Sequence, residues 1–161
     1  MVDLQSKLEA KHKIYKLRDA LDELEEYDAV YLDTPPAMNF FTLSALIAAD
    51  QCLIPFDCDD FSKRALYSLL ESVEEVREDH NPELEIAGIV VNQFQQRARL
   101  PQRLVDELVE DGLPVLEPFL TASVKIRESH EAAMPVPYLA PSHKLARQFF
   151  ELYDAIEERA G

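Results

Sequence analysis

Apolar positions recur along the chain in two rhythms. Ile14, Leu17, Leu21 and Leu24 fall at helical spacing among Lys, Arg, Asp and Glu, which predicts a helix over residues 3–25. Ala29–Leu32 is a short apolar run with β-branched and aromatic members, closed by Asp28 and Asp33, and predicts a buried strand of a parallel sheet. Asn39–Ala49 returns to the helical rhythm, with Phe40, Phe41, Leu43, Leu46 and Ile47 on a wide apolar face. Gln51–Pro55 predicts a second strand, and Ser62–Asp79 a helix with Leu66, Leu69, Leu70, Val73 and Val76 as its buried stripe, ended by Asn81-Pro82. Leu84–Asn92 is a third strand whose near-continuous apolar run (Ile86, Ile89, Val90, Val91) suits burial on both faces.

The second half continues the alternation. Leu100–Asp111 is a helix with Pro101 in its first turn and Gly112 closing it. Pro114 and Pro118 restrict Leu113–Leu120 to a short or edge strand. Thr121–Ala133 predicts a short helix and the proline-rich Met134–Ser142 an extended segment. A last helix over His143–Glu158 would bury Leu145, Phe149, Phe150, Leu152, Tyr153 and Ile156. Helices alternating with strands imply right-handed βαβ crossovers: an α/β fold, a mostly parallel sheet with helices on both faces, in one domain over residues 1–161.

Composition narrows the function. The net charge of −15, from 16 basic and 31 acidic side chains, opposes nonspecific attraction to nucleic acid or anionic lipid, so any DNA contact needs a local basic patch. No apolar run approaches the roughly 20 residues of a membrane span, and charges interrupt the N-terminus where a signal-peptide core would lie. Two cysteines, Cys52 and Cys58, fit a reducing cytoplasm without a disulfide framework. The three glycines, Gly88, Gly112 and Gly161, are too far apart to build a phosphate-cradling loop.

The candidate chemistry gathers at strand ends. Pro35-Pro36 forces the chain out of the sheet just after Asp33, which sets that carboxylate at a strand's carboxyl end, where open α/β sheets bind ligands. There it is either a hard-oxygen partner for Mg²⁺ or a turn residue. Asn92 ends the third strand and reads either as an amide facing a base edge or as a turn-forming Asn. Asp57, Asp59 and Asp60 crowd the loop after the second strand, where Asp59 or Asp60 can cap the next helix. A metal site joining Asp33 to Asp57 or Asp59 is a weaker reading, because His12, His80, His130 and His143 are scattered and none joins them.

Taken together, YDAVYLDTPPAMNFFTLSALIAADQCLIPFD, LLESVEEVRE, IAGIVVNQF and VKIRESHEAAMPVPYLAPSHKLARQFFEL resemble the ParA/MinD/Soj family of deviant Walker ATPases, over about residues 14–158. The partition (ParA) branch is the nearer one, because no basic amphipathic membrane helix closes the chain. The resemblance implies a P-loop NTPase-like fold, incomplete here at its N-terminal side, and an ATP-dependent dimerising switch that positions plasmids, chromosomes or other large cargo. It implies ATP and Mg²⁺ as cofactors, a homodimer, a ParB-like activating partner, nonspecific DNA and a cytoplasmic setting.

By position, Asp33 resembles the family's Walker B and switch II aspartate, supporting Mg²⁺ through water, with Thr34, Pro35 and Pro36 as the rest of that switch. Asn92 falls where the family recognises adenine, and Lys125 and Lys144 where it carries residues that touch DNA backbone. Arg97, Arg99 and Arg103 either extend that patch or form a solvated surface. The family's KGGxGKT-type loop and switch I aspartate have no counterpart in this sequence, so the 161 residues alone are expected to turn over negligible ATP. Two readings follow: part of a ParA-type ATPase, or a non-hydrolysing ParA-like binding module that pairs with itself or a partner chain.

Overall fold

A computed structural model of the chain describes residues 13–24 and 26–160. The first ten residues of the expected leading helix, the lysines at 7 and 11, and His12 lie outside them. The described chain divides into two compact units: residues up to Cys52 together with Leu70–Glu85, and Leu53–Leu69 together with the chain from Ile86 onward.

In the first unit a 3₁₀ turn at Lys13–Tyr15 leads into helix α1 (Lys16–Leu21), and both pack on helix α2 (Phe40–Ala48). Helix α1 stops at Leu21, short of the expected residue 25, and Leu24 is exposed. Asp22, Glu23 and Glu26 explain this, since acidic side chains oppose the negative end of a helix dipole. Asn39 caps α2, its Oδ1 accepting from the backbone N–H of Phe41 (2.9 Å) and Thr42 (3.2 Å). Phe40, Ala45, Leu46 and Ile47 are buried, whereas Phe41, expected on the same face, is exposed. Asn81 closes the other end of α2, its Nδ2 donating to the carbonyls of Leu46 (3.0 Å) and Ala49 (2.8 Å).

The expected strand at Ala29–Leu32 is absent. Residues 27–35 are irregular chain, with Val30 48% and Tyr31 62% exposed. An apolar run becomes a buried strand only when neighbours supply a ladder and cover both faces, and here the faces are open. Asp33 therefore follows irregular chain and does not stand at a strand tip.

Strands β1 (Gln51–Asp57), β2 (Glu85–Asn92) and β3 (Val115–Leu116) form one sheet in the order β1-β2-β3. β1 and β2 run parallel: Glu85 N–H donates to Asp50 O at their starts, and Gln93 meets Asp57 at their ends. β2 pairs parallel with β3 through Ile89–Val115 and Val90–Leu116. Pro55 sits exposed in β1, an outer strand among those described, where a missing N–H costs least. Pro114 and Pro118 confine β3 to two residues, as expected. Gly88 on β2 lets Leu116 approach so closely that a Cβ there would lie 2.4 Å from Leu116 Cγ.

Helix α3 (Asp60–Asp79) starts under the cap of Asp59, and helix α4 (Arg99–Glu110) ends at Gly112, whose φ of +76° suits glycine. α4 and the last helix, α7 (Lys144–Ala160), both pack on β3. α7 sends Leu145, Ala146 and Leu152 into a core with Leu116, Leu120 and Val136. Phe150 and Tyr153, expected in that stripe, are exposed instead, because they lie on a neighbouring face of α7. Between them run α5 (Lys125–Glu131) and the short helix α6 (Val136–Leu139). The extended segment expected at Met134–Ser142 thus holds one helical turn. Pro135 and Pro137 stand at its entrance, where the helix asks for no N–H donor.

Candidate functional site

The carboxyl rim of the sheet is built by the ends of β1 and β2. Leu120 N–H donates to Val91 O (2.9 Å), and Phe94 N–H donates to Leu120 O (2.9 Å). A regular parallel ladder would place one residue between those two bonds. Here Asn92 and Gln93 both face Leu120, so the strand carries a β-bulge at its end. Pairing resumes at Phe94–Thr121. Gln93 takes a left-handed backbone (φ 51°), uncommon without glycine, and its Nε2 donates to Asp57 Oδ2 at 3.2 Å. Asn92 is half-buried, and its amide has no hydrogen-bond partner among the described residues.

The loop after β1 is shaped by capping. Asp59 accepts from Phe61 N (2.9 Å), Ser62 N (2.8 Å) and Ser62 Oγ (3.0 Å). These bonds, those from Ser62 foremost, hold its carboxyl below the usual carboxylate range. Burial first, then the Asp57 and Asp59 charges, push the Cys58 thiol up to about 11, leaving it protonated and unreactive at neutral pH.

Asp33, Thr34 and Pro35 belong to the first unit, and all three are exposed. The turn that follows them is moored to α2: Thr42 Oγ1 donates to Ala37 O (2.7 Å) and lies 3.4 Å from Pro35 O. Asn92, Lys125 and Lys144 belong to the second unit. Lys125 is paired with Glu128 on the next turn of α5. Arg103 sits near Asp60 (3.8 Å) and Glu107 (3.6 Å), and Lys63 also reaches Glu107 (2.5 Å), so Arg103 belongs to a solvated charge lattice between α3 and α4.

Lys144 and Arg147 line a cleft of about 450 Å³ beside Phe94 and Phe119, but Glu117 and Glu151 line it too and offset their charge. Buried Gln148 forms its floor, accepting from Thr121 N (3.2 Å) and Oγ1 (2.6 Å) and donating to Phe119 O (2.7 Å). Gln93 and this cleft are not legible in the sequence. Neither a left-handed glutamine nor a meeting of three segments 21 to 57 positions apart leaves a local pattern.

The architecture places the chain among P-loop NTPase-like α/β proteins. Apo McdA from Cyanothece superposes with a TM-score of 0.82 at 20% identity, over 99% of this chain and 64% of that one. Cobyrinic acid a,c-diamide synthase from Mycobacterium smegmatis, with bound ATP analogue and magnesium, gives 0.76 at 23%, over 92% of this chain and 55% of that one. The cell division ATPase MinD of Pyrococcus furiosus gives 0.73 at 20%, over 90% and 58%.

In sequence, residues 1–86 match the AAA domain family. The chromosome partitioning protein ParA of Caulobacter vibrioides is 32% identical over 126 residues, 76% of this chain and 47% of that protein. The chain belongs to the ParA/MinD family of AAA domains. It spans about half the length of the curated relatives it matches.

Proposed function

We propose that the chain is part of a ParA-type ATPase that uses ATP and Mg²⁺ to partition or position a plasmid, chromosome or other large cargo. The observation that carries this reading is the half-buried, unengaged amide of Asn92 on a bulge at the carboxyl rim of a parallel sheet, in a chain of this family. An amide offers an acceptor and a donor side by side, which matches the amino group and ring nitrogen of adenine. Asp33 is an exposed carboxylate able to support Mg²⁺ through water, with Thr34 and Pro35 leading from it into the turn moored by Thr42. The metal, when bound, neutralises phosphate charge. Lys144 and Lys125 are the candidate contacts to DNA backbone, Lys144 the freer of the two because Lys125 is held by Glu128. Self-association as a homodimer and a ParB-like activator complete the reading.

A second reading, a non-hydrolysing module that pairs with itself or a partner chain, draws on the exposed apolar side chains of Tyr27, Val30, Met38 and Phe41 in the first unit.

Calorimetry with Mg-ATP tests the first reading. Wild type should bind and Asn92→Ala should weaken binding about tenfold, the worth of one to two neutral hydrogen bonds. Equal affinity would overturn the role of Asn92, while a dimer formed without nucleotide and without ATP binding would favour the second reading.

A further inference from the structure

The bulge at the end of β2 does more than end a strand. Gln93 holds a left-handed backbone that a side-chain-bearing residue adopts only when its surroundings fix it. Two sets of contacts fix it here. On one side Leu120 grips the chain before and after the bulge, through Val91 O and Phe94 N. On the other, Gln93 Nε2 reaches across the strand ends to Asp57 Oδ2, tying the tip of β2 to the tip of β1. Asn92 lies between these anchors, and its φ and ψ are limited by both. Bulges beside functional sites redirect a side chain in this way.

We propose that Gln93, latched to Asp57, is a positioning residue that fixes the Asn92 amide for one planar, donor-and-acceptor ring edge, so that the latch sets base selectivity. This rests on the nucleotide reading of Asn92 given above. A loose amide can rotate by half a turn and satisfy either order of donor and acceptor. A backbone held on both sides of Asn92 limits the rotamers open to its side chain, and with them the order of donor and acceptor it presents. Selectivity for adenine over hypoxanthine, which presents an oxygen in place of the amino group, measures that difference.

The test compares ATP and inosine triphosphate by calorimetry on five proteins: wild type, Asn92→Ala, Asp57→Ala, Asp57→Asn and Gln93→Asn. Asp57→Asn keeps an oxygen acceptor. Gln93→Asn tolerates the left-handed backbone but is too short to reach Asp57. Wild type and Asp57→Asn should prefer ATP by about tenfold, and Asp57→Ala and Gln93→Asn by less than about threefold, with thermal melts confirming that each folds.

Full selectivity in Asp57→Ala and Gln93→Asn would overturn the latch while leaving Asn92 in place. Undiminished selectivity in Asn92→Ala would instead overturn the nucleotide reading itself. The side-chain NH₂ order parameter of Asn92, measured by NMR without nucleotide, decides the latch independently. It should fall in Asp57→Ala and stay at the wild-type value in Asp57→Asn, and an unchanged value in Asp57→Ala would contradict the proposal.

Discussion

Two short apolar runs meet opposite fates. Ala29–Leu32 carries Val30 and Tyr31 and ends on Asp33, and Ile89–Val91 is wholly β-branched and ends on Asn92. Ile89 and Val91 are at most 1% exposed in the central strand of the described sheet, while Val30 is about half exposed in irregular chain. The difference lies outside the runs. Ile89 and Val90 have Val115 and Leu116 as ladder partners, and β1 pairs on the other side. A strand is a property of its neighbours as much as of its own residues, so an apolar run reports only a willingness to be buried. The functional residues divide along the same line. Asn92 rides on a strand end braced from two sides, whereas Asp33 lies in exposed irregular chain ahead of a turn whose fixed point is Thr42.

The sharpest way to break the comparison is to truncate the two runs in turn. Ile89→Ala removes a fully buried side chain and should cost about 2–5 kcal/mol in chemical denaturation. Gly88→Ala should follow at about 1–3 kcal/mol, because the new Cβ meets Leu116 inside the β2–β3 pair and one of them must shift.

A smaller effect belongs to the cap of α3. The folded carboxyl of Asp59 titrates below its ordinary value of 3.8, so the cap's contribution is complete above that value and fades as the pH falls through the lowered one. The midpoint of thermal unfolding should therefore drop more steeply with acid in wild type than in Asp59→Ala. Val30→Ala should be the quietest change, within about 0.5 kcal/mol of wild type, and a loss equal to that of Ile89→Ala would erase the contrast.

Much of the architecture can be read from local chemistry. Asn39 and Asp59 announce helix starts because their short side chains reach the free N–H groups. Pro101 and Gly112 bracket α4, and Pro114 and Pro118 foretell a short or edge β3, which proves two residues long. What escapes the sequence depends on distant partners. The irregular chain at Ala29–Leu32 reflects open faces, and the exposure of Phe150 and Tyr153 reflects which side of α7 finds a neighbour. The left-handed Gln93 reflects a bulge whose anchors, Asp57 and Leu120, lie 36 residues before and 27 after it. Asn92 could be picked out as a strand-end amide, but the device that holds it could not.

Amide hydrogen exchange on the 161-residue chain tests the central contrast most directly. Ile89 and Val91 should exchange only through global opening, on the order of 5–15 kcal/mol, while Val30 and Leu32 should exchange at rates close to those of an unfolded chain. Protection of Val30 and Leu32 equal to that of Ile89 and Val91 would contradict that contrast.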